Sequence, residues 1–428
     1  MWEKCSLAGR VIDVHKVGKK ITFYTIKSGK EELQVMAHYK YYSNYRESDF
    51  FKDIKVICLG DHVGVHGFPA MSKIGKLTLV SEIIHLLAPC KRFLGGFRSN
   101  VNEKIFSSKE ERQKYFDSLD DCKSHVKTKL YLVIWKFFNR ENYLEVSAPV
   151  KVRNRAAAKS LSLLHSDLKI NLYNRGSADL KEAFVCNDKD LQQVFQIRNE
   201  FRNKSLDNSN SQDLNVCEAY CVYSSYRSMM HLTEKILTII SKQFVSEYNL
   251  KPPFRKVEMV PELEKQMGVK LPEPQKLHTQ ESKLKLIEIC KKFSVNCPEP
   301  QTTAKMLEKL CYHFIVKKLK QPTFIMYHPL VMSPLAKESN SQPGIAERFQ
   351  LYIGKMEIVN GYTQQNDPEV QREAFRRQEG ERDVEEVKYD EDYCKMLEYG
   401  LPPCAGLGLS VDRLLTLLKS STNNGSLL

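Results

Sequence analysis

One stretch near the C-terminus, from Leu397 to Arg413 (LEYGLPPCAGLGLSVDR), constrains this chain more than any other. Gly406 and Gly408 predict a turn whose backbone can lie close to a ligand, because glycine carries no Cβ. Arg413 then precedes an apolar helical run, where a fixed guanidinium can stack on a nucleobase or neutralise a phosphate. The glycine spacing alone favours a simpler interpretation, a turn followed by a helix with one exposed arginine. The stretch as a whole is far more specific than that spacing.

The charge balance favours a polyanionic partner. The 428 residues include 65 Lys and Arg against 52 Asp and Glu, which gives a formal net charge of +13. A basic chain of this kind is typical of proteins that bind nucleic acid. A solvated surface with an excess of lysine would give the same charge, so the charge alone leaves both interpretations open. The length predicts two or three domains.

Three features predict a cytoplasmic protein that does not cross a membrane. No apolar run reaches the roughly 18 residues that a membrane helix needs. The N-terminal residues lack the basic and apolar regions of a signal peptide. The 12 cysteines are scattered, with no CxxC or Cys/His cluster. Scattered cysteines indicate reduced thiols and argue against a zinc site.

Short β-rich segments separated by glycines fill residues 1–90. The five predicted strands are 11–14, 21–26, 33–36, 62–67 and 77–80. About five strands in a segment of this length predict a small barrel of the OB type. We expect this barrel domain at 1–90, a linker at 91–106 and a second domain at 107–428.

The second domain combines helical and extended patterns. A helix is predicted from Ser107 or Ser108, because each has a glutamate three residues later, the spacing of a capping box. Apolar residues between Met229 and Phe244 also have helical spacing. Strands are predicted at 143–146, 324–326 and 349–359.

Several segments resemble the signature motifs of the lysyl-tRNA synthetase family, which belongs to the class II aminoacyl-tRNA synthetases. These segments are residues 107–149 for motif 1, 194–203 and 217–220 for motif 2, 332–337, 347–349 and 360–363 ahead of motif 3, and 397–413 for motif 3. The resemblance runs from about Ala8 to Leu418. The sequence of these motifs is more similar to the eukaryotic cytosolic enzymes than to the bacterial ones.

The resemblance implies an α+β fold. In that family an N-terminal OB-type β-barrel, which binds the tRNA anticodon, precedes a class II catalytic domain built on an antiparallel sheet. It implies a homodimer joined through residues 107–150, and ATP-dependent ligation of lysine to its tRNA through lysyl-adenylate, with Mg²⁺ accompanying ATP. This chemistry uses no protein nucleophile, so catalysis would rest on positioning and on stabilising phosphate charge.

The resemblance also assigns roles to individual residues. Arg202 would hold the α-phosphate, and Arg413 would stack near the adenine and reach the γ-phosphate, so these two are the catalytic candidates. The lysine-binding candidates are Asp179, Glu218, Tyr220, Asn360, Tyr362 and Gln364. The further ATP-binding candidates are Leu214, Gln350, Glu357, Gly406 and Gly408, of which Gln350 and Glu357 would hold the metal. The RNA-binding candidates in the barrel are Phe23, Gln34 and Lys76. For any one position the alternative is a structural hydrogen bond or salt bridge.

The chain departs from the family at several of these positions. Gln364 replaces a Glu that pairs with the substrate ε-ammonium, and Gln350 replaces a Glu that binds ATP-linked magnesium. A neutral amide is a weaker partner than a carboxylate for either cation. Further replacements are Lys204 for Glu, Leu214 for Phe, Asp179 for Glu and Ser410 for Gly, and in the barrel Lys76 for Glu and His15 for Arg. Phe23 could still stack on a base, or it could point into the barrel.

These replacements affect the amino-acid, magnesium and adenine contacts together. They predict a lysyl-tRNA synthetase-like protein whose family activity is weakened. The alternative is a catalytically inactive relative that acts as a tRNA-binding or partner-binding module. An active but divergent lysyl-tRNA synthetase also stays open, because the retained residues include Glu218, Asn360, Tyr362, Arg202 and Arg413.

Overall fold

A computed structural model of the chain describes residues 3–18, 20–29, 31–42, 47–71, 75–90, 121–146, 151–152, 162–165, 170–174, 184–185, 191–201, 213–380 and 391–420. Contacts divide the chain into two compact units, Met1–Leu119 and Asp120–Leu428. The predicted linker at 91–106 and the predicted helix start at Ser107 lie outside the described residues.

The first unit contains a closed five-stranded barrel, and the prediction of an OB-type barrel is confirmed. Its strands are β1 (Cys5–Val17), β2 (Ile21–Ser28), β3 (Glu31–His38), β4 (His62–Met71) and β5 (Leu77–Ala88), and they close in the order β1-β2-β3-β5-β4. In β2, buried Tyr24 and Ile26 alternate with half-buried neighbours, because successive strand residues point to opposite faces. Helix α1 (Glu47–Val56) adds Phe50 to the barrel core.

The second unit is built on an eight-stranded sheet. Its strands are β6 (Leu144–Glu145), β10 (Gln193–Phe201), β11 (Asp213–Val222), β12 (Arg255–Glu258), β13 (Thr323–Met326), β14 (Arg348–Ile353), β15 (Met356–Thr363) and β16 (Cys404–Ser410). The order is β12-β13-β14-β15-β16-β11-β10-β6. The six strands from β13 to β10 are antiparallel, as expected, whereas each edge strand pairs in parallel with its neighbour. A separate small sheet contains β7 (Lys151–Val152), β8 (Ser162–His165) and β9 (Ile170–Asn174).

Three helices cover one face of the eight-stranded sheet. They are α2 (Asp121–Arg140), α3 (Tyr226–Gln243) and α9 (Val411–Ser420). Their apolar residues form one core with the sheet, in which Phe138 stacks on Phe195 at 5.0 Å between ring centroids. The helical spacing predicted between Met229 and Phe244 is confirmed by α3. The opposite face of the sheet lies outside this core.

A helical insertion between β12 and β13 has its own apolar core. It contains α4 (Met259–Met267), α5 (Gln280–Lys292) and α6 (Thr303–Phe314), which pack around residues such as Leu263, Leu286 and Leu310. Two further helices, α7 (Pro368–Gly380) and α8 (Glu391–Glu398), precede β16. Among the helices that the structure describes, none combines the length and the apolar character that a membrane crossing requires.

Candidate active site on the open face of the sheet

Four of the six predicted lysine-binding residues, Glu218, Tyr220, Asn360 and Tyr362, meet on the face of the sheet opposite the three helices. Strand register places them in two rows of cross-strand neighbours. The first row is Gln350, Asn360, Gly408, Glu218 and Gln196, and the second is Arg348, Tyr362, Gly406, Tyr220 and Val194. The intervening residues, such as Phe349, Leu407 and Ala219, are buried in the core on the other face. The strict alternation of strand side chains therefore gathers residues from five strands into one surface.

A β-bulge brings Glu357 to the same surface. Leu351 lies opposite Val359, but the next residue, Tyr352, lies opposite Glu357, so that Ile358 is an extra residue in β15. Ile358 and Val359 are both buried in the core. The bulge therefore turns Glu357 to the face that carries the site, which is a common use of bulges near functional sites.

The two glycines of the C-terminal stretch lie in a strand, and the prediction of a turn was wrong. Residues 404–410 form β16, which pairs with both β15 and β11 in the middle of the sheet. A Cβ on Gly406 would lie 2.3 Å from the ring of Tyr220, so the missing side chain makes room for that ring. A Cβ on Gly408 would meet nothing closer than 3.8 Å. Glycine was needed here for close approach of a side chain and not for a positive φ.

Glu218 is paired with an arginine from the neighbouring strand. The Nη2 and Nε atoms of Arg198 donate to the two carboxylate oxygens of Glu218 at 3.3 and 3.4 Å. The two side chains are only 12% and 11% exposed. A carboxylate with a guanidinium partner at this depth is stabilised in its charged form.

Asn360 is held by a second arginine. Arg348 donates from Nε to Asn360 Oδ1 at 3.0 Å, and from Nη1 to the Met332 carbonyl and the Ser333 hydroxyl at 2.8 and 3.1 Å. These bonds orient the Asn360 amide, so that its NH₂ group is the part turned away from Arg348. An amide with a fixed orientation can bind a ligand acceptor specifically.

Gln350 is hydrogen-bonded to a buried histidine. His328 Nε2 lies 2.8 Å from Gln350 Oε1, and the Tyr352 hydroxyl donates to the same oxygen at 3.4 Å. Burial, with a contribution from the charge of Arg348, lowers the pKa of His328 to about 3. The imidazole is therefore neutral near pH 7, and its Nε2–H donates to the amide oxygen. Burial and the charge of Glu357 raise the pKa of Tyr352, which keeps its hydroxyl protonated as a donor.

Two of the described candidates for the ATP site, Arg413 and Glu357, are adjacent. Arg413, in the first turn of α9, donates from Nη1 to the main-chain carbonyl of Glu357 at 2.9 Å. The preceding residue, Asp412, accepts from the backbone N and the Nδ2 of Asn215 at 2.7 and 2.8 Å. These bonds attach the start of α9 to β11 and β15, so the position of the Arg413 guanidinium is set by the sheet.

The other predicted residues of the second unit fall into three groups. Gln364 follows β15, is 1% exposed, and its backbone N donates to the Cys404 carbonyl at 2.8 Å. Leu214 lies in β11, although its side chain is outside the described residues. Arg202, Lys204 and Asp179 lie outside the described residues altogether.

The described residues do not form a magnesium site from protein ligands alone. They contain no group of three or more His, Cys, Asp or Glu side chains suited to hold a metal ion. Gln350 Oε1 already accepts from His328 and Tyr352, so it fits poorly as a metal ligand. The Glu357 carboxylate, on the same face, fits one ligand of a magnesium ion that ATP phosphates otherwise hold, which is the usual way in which enzymes bind this ion.

The three RNA-binding candidates lie on the outer surface of the barrel. Phe23 alternates with buried Thr22 and Tyr24 and is half-buried, so the alternative that it points into the barrel is wrong. Gln34 lies opposite Thr25 and Thr78, and its Oε1 accepts from the Thr78 hydroxyl at 3.1 Å. Lys76 precedes β5 and is exposed. Whether these side chains contact RNA stays a prediction.

Sequence reasoning did not assign roles to four residues of this face, which are Gln196, Arg198, Arg348 and His328. The strand period would have pointed to the first two, since residues 194, 196 and 198 alternate with the apolar residues Phe195 and Ile197. No local pattern indicated that His328 would lie beside Gln350, because these residues meet only through tertiary packing.

Comparisons with known proteins agree in one family. Residues 121–424 match the family model of class II tRNA synthetases (D, K and N). A lysine–tRNA ligase of Cladosporium cladosporioides is 32% identical over 449 residues, which cover 98% of this chain and 74% of that protein. A probable cytoplasmic lysine–tRNA ligase of Encephalitozoon cuniculi is 31% identical, with 97% and 84% covered. A mitochondrial lysine–tRNA ligase of Schizosaccharomyces pombe is 30% identical, with 99% and 83% covered.

Proposed function

The chain belongs to the lysyl-tRNA synthetase-like class II tRNA synthetases, and we propose that it activates lysine with ATP and transfers the lysyl group to tRNA, with an activity weakened by its own substitutions. The observation that carries this proposal is the gathering of Glu218, Tyr220, Asn360 and Tyr362 on one open face of the sheet. Acidic, amide and aromatic groups of this kind suit a substrate that carries both an ammonium and an apolar stem.

The described geometry supports catalysis by positioning. In the proposed reaction Glu218, Tyr220, Asn360 and Tyr362, together with Asp179 and Gln364, bind lysine. Gly408 leaves the middle of the face open for a ligand. Arg413 lies beside Glu357, where it can bind ATP phosphates, and we assign the α-phosphate to Arg202 and the adenine to Leu214. These residues orient the lysine carboxylate and neutralise phosphate charge, and none acts as a nucleophile.

Magnesium would accompany ATP in this function. When bound, it would neutralise charge on the phosphates as the leaving group departs. We assign Glu357 as its protein ligand. Gln350, the other candidate, is the weaker one, because its amide oxygen already accepts two hydrogen bonds.

The weakening has a physical basis in three of the contacts. Gln350 and Gln364 offer no charge to magnesium or to the substrate ammonium, and the charge of Glu218 is already balanced by Arg198. A charged hydrogen bond contributes roughly 1.5–3 kcal/mol, so the loss of such bonds lowers affinity by one or more orders of magnitude.

We also propose that the protein acts as a homodimer joined through the region of α2. An open groove of about 550 Å³ lies there, lined mainly by apolar atoms of residues such as Tyr131, Leu132 and Trp135. Leu132 and Trp135 are 49% and 41% exposed. Exposed apolar residues in one groove are typical of an association surface.

The N-terminal barrel, proposed as the domain at 1–90, is assigned to tRNA binding. Phe23 on its outer face offers a ring for base stacking, with Gln34 and Lys76 on the same side, and the chain carries a net charge of +13. A cytoplasmic location is proposed from the same family resemblance.

The experiment that tests the proposed function is ATP–pyrophosphate exchange by the purified chain with each of the twenty amino acids. We expect the fastest exchange with lysine, at a reduced rate, and its loss in Tyr362→Ala. Tyr312→Ala is the matched control, because Tyr312 is an exposed tyrosine of the insertion. Bound ATP without exchange for any amino acid would instead favour a catalytically inactive binding module.

A further inference from the structure

The guanidinium of Arg198 is already bound to Glu218, the acidic group on which the proposed lysine pocket depends. Glu218 is the only carboxylate in the two cross-strand rows that the structure describes, and its oxygens accept from Arg198 at 3.3 and 3.4 Å. Both side chains are nearly buried. The protein therefore places its own cation where the substrate is proposed to place an ammonium.

On the neighbouring strand, β10, a buried side-chain oxygen lacks a hydrogen-bond donor among the described residues. Gln196 is the cross-strand partner of Glu218 and is 9% exposed. Its Oε1 atom is buried and has no hydrogen-bond partner among the described residues. A buried acceptor without a donor is costly, and in native proteins it commonly marks a place that a ligand or water completes. Gln196 and Glu218 together are suited to an N–H donor with positive charge.

The remaining polar atoms of the first row cannot take this role. Asn360 Oδ1 accepts from Arg348, and Gln350 Oε1 accepts from His328. Within these two rows of the described structure, an ammonium can therefore gain a full negative charge only by competing with Arg198 for Glu218. Competition between two cations for one carboxylate lowers the apparent affinity of the one that arrives from solution.

We propose that Arg198 is a specificity-determining positioning residue of the amino-acid site. In the empty site its guanidinium neutralises Glu218, and on binding the substrate ammonium takes over Glu218, with Gln196 Oε1 as a second acceptor. This inference rests on the proposed function, since it assumes that the amino acid binds on this face. Its consequence is that the natural protein prefers lysine over an uncharged isostere only weakly.

Removal of Arg198 should strengthen the preference for lysine. In Arg198→Gln the buried Glu218 carboxylate loses the guanidinium of Arg198, which destabilises the empty protein. A ligand ammonium can then pair with Glu218 without competing with Arg198. The variant should therefore be stabilised more by lysine than the natural protein is, because a ligand that binds only the folded state raises its stability.

The test compares L-lysine with L-norleucine, which has the same six-carbon chain but lacks the ε-ammonium. Dissociation constants come from calorimetry and from ligand-dependent shifts of the melting temperature, and KM and kcat for lysine from pyrophosphate exchange. For Arg198→Gln we expect the preference for lysine over norleucine to rise about tenfold, the gain expected for one charged hydrogen bond. KM for lysine should fall, with kcat changed much less.

Three control variants separate this role from a structural one. Arg198→Lys keeps a cation and should behave like the natural protein. Lys235→Gln removes an exposed ion pair with Glu141, of 2.9 Å, and should leave the preference unchanged. The double variant Arg198→Gln/Glu218→Gln removes both charges, which avoids an unpaired buried ion if the single variant does not fold, and it should bind lysine and norleucine equally.

The inference and the proposed function fail separately. If Arg198→Gln folds and shows no gain in lysine preference, or if the double variant keeps a strong preference for lysine, the inference is wrong even where the natural protein exchanges lysine. If the natural protein shows no exchange but Arg198→Gln gains the preference in calorimetry, the inference holds and the proposed activity fails.

Discussion

The imidazole of His328 lies 2.8 Å from the side-chain oxygen of Gln350, so that a buried neutral histidine donates to an amide at a position where the family resemblance implies a carboxylate. The other ring nitrogen, Nδ1, is buried and has no hydrogen-bond partner among the described residues. A carboxylate at position 350 would favour the protonated ring more strongly than the neutral amide of Gln350 does. The substitution and the neutral histidine are therefore consistent with each other.

The buried His328 predicts a loss of stability in acid. Its pKa is lowered to about 3 in the folded protein, against an ordinary value of 6.5. Between these pH values the unfolded chain binds a proton that the folded chain does not. The free energy of unfolding should therefore fall as the pH falls from 6.5 towards 3, by up to about 1.4 kcal/mol per pH unit from this group.

Urea unfolding of the natural protein and of His328→Gln across this pH range checks the prediction. Gln can keep a donor for Gln350 but has no titrating ring. The variant should show a shallower loss of stability below pH 6.5, whatever its stability at pH 7. Parallel pH profiles for the two proteins would show that His328 does not cause the loss.

The two glycines of β16 predict opposite effects of the same substitution. Gly406→Ala places a methyl group 2.3 Å from the Tyr220 ring, which has to move. We expect a loss of about 1–3 kcal/mol, the usual cost of overpacking. Gly408→Ala meets no atom closer than 3.8 Å, so its stability should stay within about 0.5 kcal/mol of the natural value. Thermal unfolding measures both.

Gly408→Ala, which should leave stability unchanged, should nevertheless weaken ligand binding. The Gly408→Ala methyl points into the open face, where it would clash with a ligand that lies on β16. We expect reduced lysine and ATP affinity in calorimetry, with unchanged melting temperature. Natural affinity for both ligands in Gly408→Ala would mean that neither lies against this strand.

Local sequence pattern was sufficient to predict many helices and strands, but it did not predict the geometry of the candidate site. The five barrel strands and helix α3 were predictable, because alternation and helical spacing are written in consecutive residues. The bulge that turns Glu357 to the open face depends on how β14 and β15 pair, and no residue in either strand indicates it. The bonds between Asn215 and Asp412 join residues 197 positions apart.

The family resemblance predicted which distant residues share the lysine pocket, which local pattern could not. It did not predict the arginine that pairs with the acidic residue of that pocket. It placed Glu218, Asn360 and Tyr362 in one pocket, and strand register brings them together. Because it compares positions one by one, it did not reveal that Arg198 reaches Glu218 from the adjacent strand. The missing Cβ of Gly406 and Gly408 was interpreted as a sign of a turn, and this led to the wrong prediction, since both residues lie in β16.

The groove beside α2 predicts a dimer that one charge should disrupt. Leu132→Lys puts an ammonium into a groove lined mainly by apolar atoms, where it would be desolvated on association. Light scattering should show a dimer for the natural protein and the 49.6 kDa monomer for the variant. Leu284→Lys is the matched control, because Leu284 is a 54% exposed leucine of α5. A natural protein that is monomeric at micromolar concentration would contradict the prediction.

The outer face of the barrel predicts a base-stacking role for Phe23. Phe23→Ala should weaken tRNA binding by about 1–3 kcal/mol, the usual contribution of one stacked base. Phe51→Ala is the control, since Phe51 is a partly exposed ring on α1. Binding should also fall steeply with salt, because phosphate neutralisation releases counterions, and Lys76→Ala should reduce that dependence. Equal tRNA affinities for the two phenylalanine variants would exclude stacking on Phe23.

The paired substitutions at 350 and 364 predict that activity can be restored in two separable steps. Gln350→Glu adds charge beside His328 and on the same face as Glu357, and should lower KM for ATP with magnesium. Gln364→Glu adds charge at a position that is 1% exposed, and should lower KM for lysine. The two cations occupy different subsites, so the gains should add in the double variant. Pyrophosphate exchange measures each KM.

Gln365→Glu is the control for these gains, because it is an adjacent buried glutamine whose Oε1 accepts from the backbone of Asn366 and Asp367. It adds the same charge to the same segment, and it should improve neither KM. If the natural protein already activates lysine at about 1 s⁻¹ or faster, in the usual range for enzymes, then Gln350 and Gln364 do not weaken it. The amide at Gln350 would in that case be an alternative way to seat ATP beside a neutral His328.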